Sequence, residues 1–445
     1  MKKVAFYTLG CKLNYSETSA LSRKFEDEGF RKVDFTDQPD IFVINTCSVT
    51  ENADRKCHKI VREAKKISPE SFVVIVGCYA QLKPAEIAGI PGVDAVLGAA
   101  EKFQLLEHLK GFEKKAAPQV FHSEVQEAIA FHTSYSVQDR TRTFLKVQDG
   151  CDYVCTFCTI PMARGGSRSD TIANVVEQAG KIGESGVKEI VLTGVNTGDF
   201  GIRNGAREDR FIDLIKALDE VDTVTRFRIS SIEPNLLTDE IIAFVSASRR
   251  FVPHFHVPLQ SGSDKVLRMM KRRYLTALYS ERIRTIRAHM PHACIGVDVI
   301  VGFPGETDAD FNDTENFLAA LDISYLHVFT YSERDNTPAA SMRGAVPIPV
   351  RQERSRRLHA LSDRKRDAYY RQQLGTVHTV LFENDIEEGM MHGFTENYVR
   401  VAVKYDPVLV NECRRVRIQS IADNGVAWVE DAEPAEVLHA GLLSR

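Results

Sequence analysis

Cys151-Asp-Tyr-Val-Cys155-Thr-Phe-Cys158 puts three thiols on one short loop, directly after a predicted strand over Phe144–Gln148. Three sulfurs so close can hold three irons of a cubane cluster and leave the fourth iron open to a chelating ligand. A zinc site would call for a fourth thiolate or imidazole and a second half-site, and none lies nearby in the sequence. Cys11, Cys47 and Cys78 show a different pattern, each following a predicted strand: Val4–Leu9, Ile41–Asn45 and Phe72–Val76. In a parallel sheet the carboxyl ends of three strands share the edge where doubly wound folds bind ligands. Periodicity alone leaves two readings open, a second cluster site with a vacant iron or three buried core cysteines. Cys57 precedes Ile60 and Val61 at helical spacing and reads as core, as do Cys294 and Cys413 in or beside strands.

The elements that must carry these residues fall into three regions of an α/β chain. The first hundred residues alternate strands with helical patterns, such as Glu17–Glu28 after a cap at Asn14 or Ser16, and predict an open parallel sheet. The stretch Lys110–Thr141 is polar and irregular, as a linker would be. From Phe144 six strand–helix units follow. Their strands are Phe144–Gln148, Glu189–Thr193, Arg226–Ser230, His254–Pro258, Gly296–Val301 and Tyr325–Phe329, and helical segments include Ile172–Lys181, Phe211–Leu218 and Val266–His289. Right-handed crossovers curl such a chain, and six units predict a partial barrel rather than the full eight-fold one. After about Gln372 come short strands, Val377–Phe382, Tyr398–Val403, Arg415–Ile421 and Val426–Glu430. Turns at Glu383-Asn384-Asp385 and Asp423-Asn424-Gly425 separate them, as in a small antiparallel barrel of OB-like size.

Composition narrows the function class. With 445 residues, 43% hydrophobic and 27% charged, the chain reads as a globular protein of two or three domains. The longest apolar runs, Phe72–Ala80 and Ile295–Phe303, are far too short to span a bilayer. Met1-Lys2-Lys3 followed by Val4–Gly10 imitates a signal peptide, but Cys11-Lys12 interrupts it and it reads better as a first strand. A cytoplasmic location is therefore expected, with no membrane partner. Thiols stay reduced there, so nine cysteines point to metal chemistry rather than a disulfide framework. The net charge of −4 does not announce nucleic acid, but Arg343–Arg371 holds nine Lys or Arg against three acids, and Arg268–Arg273 is a second basic knot. Each is either a solvated helix face or a phosphate-binding surface.

The spacing of Cys151, Cys155 and Cys158 resembles the CxxxCxxC motif of the radical-SAM superfamily. The resemblance implies that the open iron binds S-adenosylmethionine (SAM) and that one electron splits the sulfonium, giving a 5′-deoxyadenosyl radical. It implies further cofactor contacts at Phe157, before the last cysteine, at Gly194, Val195 and Asn196 after the second barrel strand, and at Glu233 and Gln260 after the third and fourth. Ile300 and Val301 match a backbone contact on the fifth. Longer segments widen the resemblance: TLGCK (Thr8–Lys12), NTCSVT (Asn45–Thr50), VGCYAQ (Val76–Gln81), IPMARGGSRS (Ile160–Ser169) and HVPLQSGSDKVLRMMKRRY (His256–Tyr274). These look like methylthiotransferases over nearly the whole chain.

That family likeness implies a flavodoxin-like parallel-sheet domain over residues 1–110, a linker over 111–140, a partial (β/α)6 radical-SAM core over 141–370 and an all-β TRAM RNA-binding barrel over 371–440. It assigns an auxiliary 4Fe–4S cluster to Cys11, Cys47 and Cys78 and the SAM-binding 4Fe–4S cluster to Cys151, Cys155 and Cys158. The reaction implied is methylthio transfer to an unactivated adenine C2, with SAM as both methyl donor and radical source. The implied partners are the anticodon stem-loop of tRNA, gripped by the last barrel and the Arg343–Arg371 run, and an electron donor such as flavodoxin or ferredoxin. Gly10-Cys11-Lys12 matches the branch acting on N6-threonylcarbamoyladenosine. The isopentenyladenosine branch typically carries glutamine in place of the lysine, and the branch modifying a ribosomal-protein aspartate carries proline. Leu13 and Tyr15-Ser16-Glu17 depart from the common pattern and keep those two branches as alternatives. A rival of another class is a non-catalytic iron–sulfur protein that binds RNA or carries electrons, which would need no SAM pocket.

Overall fold

The computed structural model describes residues 1–47, 51–136, 141–422 and 425–432. Ser48–Thr50 of the second amino-terminal motif, Asp423 and Asn424 of a predicted turn, and the third region after 432 lie outside the described residues. Lys3–Thr8 (β1), Arg31–Lys32 (β2), Ile41–Thr46 (β3), Phe72–Gly77 (β4), Ala95–Leu97 (β5) and Gln119–Phe121 (β6) form one parallel sheet in the order β2-β1-β3-β4-β5-β6. Alternate residues of β3 and β4 enter two separate cores. Phe42, Ile44, Val73 and Ile75 face one side, and Ile41, Val43, Phe72 and Val74 the other. That is the pattern of strands covered on both faces.

Two expectations change in this region. The stretch after Lys110 is not wholly irregular, because β6 pairs with β5 at Ala95–Gln119, Val96–Val120 and Leu97–Phe121. Helix Lys12–Asp27 (α1) begins directly after Cys11, so Asn14 and Ser16 are not caps but buried residues of its first turns. Asn14 Nδ2 donates to the carbonyls of Leu9 (2.7 Å) and Thr46 (3.1 Å), fastening the ends of β1 and β3 together.

Arg142–Lys146 (β7) opens the second region, and its loop runs into the short helix Ile160–Arg164 (α2). Glu189–Thr193 (β8), Arg226–Ile229 (β9), His254–His256 (β10), Cys294–Val301 (β11) and Tyr325–Thr330 (β12) complete the wall. β9-β8-β7 and β10-β11-β12 are each continuous, and bridges from Phe227 to Phe251 and Ser231 to His256 join them. Among the described residues β7 and β12 do not pair, so the barrel stays open, as six units require. The predicted helix Val266–His289 is two, Asp264–Met269 (α3) and Thr276–His289 (α4). Lys271, at φ 56°, turns the chain between them, and Asp264 Oδ1 accepts from the Thr276 N–H at 2.9 Å to splice the halves. Periodicity could not show this break, because apolar residues continue through it.

Helix Ile348–Gln372 (α5) packs along β12 and leads to the third region. There Val377–Glu387 (β13), Met390–Thr395 (β14), Arg400–Lys404 (β15), Cys413–Ile421 (β16) and Ala427–Asp431 (β17) close a barrel in the order β13-β14-β15-β17-β16. β14 was not expected, since Met-Met-His-Gly-Phe lacks β-branched residues. The barrel is also not purely antiparallel, because β15 and β17 run parallel. Cys57 and Cys294 are buried as expected, whereas Cys413 is half-buried at the start of β16 and lies outside the core. No helix among the described residues is long and apolar enough to cross a membrane.

Candidate active site

The loop after β7 brings Cys151, Cys155 and Cys158 together, and each sulfur has its own N–H donor. Cys151 Sγ accepts from the Tyr153 amide and Cys158 Sγ from the Ile160 amide, both at 3.4 Å, while Cys155 Sγ lies 3.1 Å from Arg272 Nη1. Burial pushes the Cys151 thiol up to about 12 and Cys158 to about 11, and the neighbouring cysteines add to the shift. Three bare thiolates are therefore costly here, and a cationic metal is what would let them ionise together. Arg272 comes from the break between α3 and α4, where its guanidinium also pairs with Glu233. Burial raises the Glu233 pKa, against the pull of Arg272. In the sequence Arg272 shows only as part of a basic knot and of the His256–Tyr274 motif; nothing in its spacing said it would turn inward.

The other triad is assembled by the sheet. Cys47 and Cys78 follow β3 and β4 directly, and Cys11 follows β1 after Leu9 and Gly10. Gly10, at φ +115°, is tight against Cys47: a Cβ there would lie 2.7 Å from Cys47 Cβ and 3.3 Å from its sulfur. Gly77, at φ +100°, would likewise strike Asn45 Oδ1. Only glycine allows the three strand ends to close up this far. Cys78 is buried, Cys47 half-buried and Cys11 open to solvent. Burial raises the Cys78 thiol, with Arg164 opposing and Cys11 reinforcing the shift.

Beneath this triad lies a buried ion network. Glu17 meets Lys102 (2.8 Å), Arg164 (3.0 Å) and Lys146 (3.4 Å), and Asp149 meets Arg164 (2.9 Å), Arg168 (3.1 Å) and Lys146 (3.5 Å). Arg164 Nη2 also donates to Asn14 Oδ1 at 2.6 Å. Four cations share two carboxylates, and the surplus positive charge sits under Cys11 and Cys78, whose thiolates act on Arg164. Such surplus charge suits a set of anionic sulfur ligands. Glu17, Lys102 and Arg164 carry no sequence signal of this role beyond Arg164's place in the Ile160–Ser169 motif.

Two clefts adjoin the triads. Phe157, Cys158, Gln260 and Ile300 line one of about 220 Å³, together with Asp298 and Tyr331. Cys11, Lys12 and Gly194 line the other, of about 350 Å³, with His256, Asp298 and His327. Asp298 belongs to both walls. Val195, Asn196, Glu233 and Val301 line neither. Val301 is a core residue whose carbonyl accepts from the Tyr331 amide at 2.9 Å, and Asn196 Oδ1 accepts from the Glu233 amide at 3.3 Å. Asn196 Nδ2 and Ser230 Oγ are buried without a hydrogen-bond partner, as groups awaiting a polar ligand would be. The sulfur donors, the opposed positive charge and these orphaned atoms fit two iron–sulfur clusters and a polar cofactor.

The basic run of α5 divides between the interior and the surface. Arg351 is buried on the Tyr331 carbonyl (3.0 Å) and Glu333, and Arg354 on Glu306 (2.6 Å) and Asp308 (2.7 Å). Arg357 pairs with Glu315, Arg366 with Asp363 and Arg371 with Asp367. Arg351, Arg354 and Arg357 thus fasten α5 to the barrel, whereas Arg356, Arg364, Arg366 and Arg371 stay exposed.

A six-stranded open barrel whose first loop gathers three cysteines defines a radical-SAM enzyme core. Family models agree: residues 145–318 match the Radical SAM superfamily, and residues 3–98 match the uncharacterized protein family UPF0004. The chain is 40% identical over 425 residues, 94% of each protein, to the threonylcarbamoyladenosine tRNA methylthiotransferase MtaB of Bacillus subtilis. It is 37% identical over 402 residues to the Aquifex aeolicus protein of the same name, covering 90% of this chain and 96% of that one. It belongs to the methylthiotransferase family of radical-SAM enzymes, in the MtaB-type branch. In fold it also resembles the radical S-adenosylmethionine methyltransferase TsrM of Kitasatospora setae, solved with cobalamin and a 4Fe–4S cluster, at a TM-score of 0.57 and 15% identity over 76% of this chain and 77% of that one.

Proposed function

We propose that the chain transfers a methylthio group to C2 of N6-threonylcarbamoyladenosine beside the anticodon of tRNA, using SAM as methyl donor and as radical source. The observation that carries this reading is that one cysteine of each triad, Cys11 and Cys158, lines one of two clefts sharing the Asp298 wall, in a chain matching its named relative over 94% of its length. When bound, two 4Fe–4S clusters and SAM supply the one-electron chemistry and the sulfur-carrying iron that no side-chain acid or nucleophile provides. Cys151, Cys155 and Cys158 hold the SAM-binding cluster, and Cys11, Cys47 and Cys78 the auxiliary one. Phe157, Gln260 and Ile300 shape the SAM cleft. Gly194 lines the neighbouring cleft beside Cys11, Asn196 accepts from the Glu233 amide, and Glu233 acts by holding Arg272 against Cys155.

The proposed division into 1–110, 111–140, 141–370 and 371–440 is supported by the parallel sheet, the open barrel and the closed barrel, although β6 reaches back from the connecting stretch. Bases beside the anticodon are single-stranded and can be splayed into a cleft. The last barrel and the unburied cations of α5 would hold the RNA backbone, and a small flavodoxin or ferredoxin would deliver electrons in the cytoplasm. Nucleoside mass spectrometry of tRNA from a deletion strain tests the reading. The expected result is loss of 2-methylthio-N6-threonylcarbamoyladenosine with the unmethylthiolated nucleoside accumulating, and an unchanged profile would overturn it.

A further inference from the structure

We propose that Lys12 sets substrate choice: its ammonium takes the carboxylate of the threonyl group carried by the target adenosine. The inference rests on the function proposed above and names the residue that reads the substrate's charge.

Lys12 stands apart from the inward cations. Lys102, Lys146, Arg164, Arg228 and Arg272 each have a carboxylate partner within the fold. Among the described residues Lys12 has none, although it lines the larger cleft next to Cys11. The one carboxylate lining that cleft, Asp298, is already engaged, with Oδ1 2.9 Å from His256 Nε2. Lys12 is exposed, and Tyr398 of the third region lines the same cleft, so the ammonium stands where a ligand entering from solvent meets it. A cation held there without a counterion favours an anionic ligand. His256, Asp298 and His327 have ligand atoms within 4.8 Å of one another and could cage a metal ion, but an uncompensated ammonium lining the same space opposes a cation.

The purine itself fixes which anion reaches Lys12. C2 and N6 flank N1 on one edge of the ring, so a base presenting C2 to the site that Cys11, Cys47 and Cys78 would form brings its N6 substituent to the residues beside that site. Backbone phosphates lie on the far side of the sugar and remain outside. The N6 substituent of this substrate ends in a carboxylate, whereas an isopentenyl group offers no charge.

The test uses the reconstituted full-length enzyme with two anticodon stem-loops, one carrying the free threonyl acid and one its carboxamide. The parent enzyme should prefer the acid about ten- to hundredfold in kcat/KM, the usual worth of a charge-assisted hydrogen bond. Lys12→Gln should lose that preference through a raised KM for the acid, with weaker stem-loop binding by fluorescence anisotropy, and Lys12→Arg should keep it. Iron content equal to the parent's certifies folding. Equal losses on both substrates in Lys12→Gln, or a parent enzyme indifferent to amidation, would overturn the assignment. A parent enzyme that leaves both stem-loops untouched yet methylthiolates another RNA removes the proposed function itself, and this role with it.

Discussion

Cys151, Cys155 and Cys158 meet because one loop carries them, whereas Cys11, Cys47 and Cys78 meet only because three strands end at one edge. The local site needs little beyond its own backbone, two amide donors and Arg272. The distributed site depends on strand register, on two glycines that let the ends close up, and on an ion network reaching into the barrel. The contrast separates two ways of making the same donor set: chain connectivity in one, tertiary packing in the other. The second should be the more easily lost to changes that never touch a sulfur.

The largest effect is expected where the comparison is cut outright. Replacing Cys151, Cys155 and Cys158 together by Ala should lower the iron of anaerobically reconstituted protein from about eight to about four per chain and abolish SAM cleavage. Full iron in that variant would sink the assignment of the local site.

A subtler cut is Arg164→Met, which leaves every sulfur in place. It strands Glu17 and Asp149 with fewer cations, and breaking such a buried network costs about 3–5 kcal/mol. The variant should melt well below the parent and lose iron from the distributed site while keeping that of the local loop. Mössbauer or iron assays showing both clusters retained would mean that packing does not hold the distributed site.

The smallest effect is read by pH. Burial alone would raise Glu17, but Arg164, Lys102 and Lys146 together hold it below its ordinary 4.5. The unfolded chain therefore protonates first, and the stability Glu17 contributes is present above about pH 4.5 and lost as pH falls through its folded value. The melting-temperature gap between the parent and Glu17→Gln should be wide at pH 7 and shrink on acidification. Glu233, raised by burial, should show no such gap closing below pH 4.5, because its charge is lost earlier. A pH-independent Glu17→Gln gap would show that its partners act by packing alone.

What the sequence disclosed follows the same division. The loop cysteines and the strand Glu189–Thr193 could be read directly, because spacing and β-branched runs are local signals. The convergence of Cys11, Cys47 and Cys78 needed only the topological rule that parallel strands end together. Arg164 and Glu17 were silent, because their contact spans 147 residues and neither spacing nor periodicity links them. Arg351 and Arg354 misled in the opposite sense: a basic run looks alike whether its members face RNA or reach Glu333 and Glu306 across the fold. Strand β14 was missed because its glycine answers a close approach rather than a β preference: a Cβ at Gly393 would lie 2.6 Å from the Leu381 carbonyl oxygen.

The Glu17–Arg164 contact also orders events during synthesis. Glu17 is translated early, but the guanidinium that meets it belongs to α2, 147 residues later. At about 5–20 residues per second, the ribosome takes roughly 7–30 s to make that stretch. Within it Lys102 is made first, then Lys146, and Arg164 last, so until α2 is made Glu17 lacks part of its neutralising charge and Asn14 lacks the donor from Arg164. The first region thus reaches its final packing only when the start of the barrel emerges, and the cysteines of its edge wait on a segment made long after them.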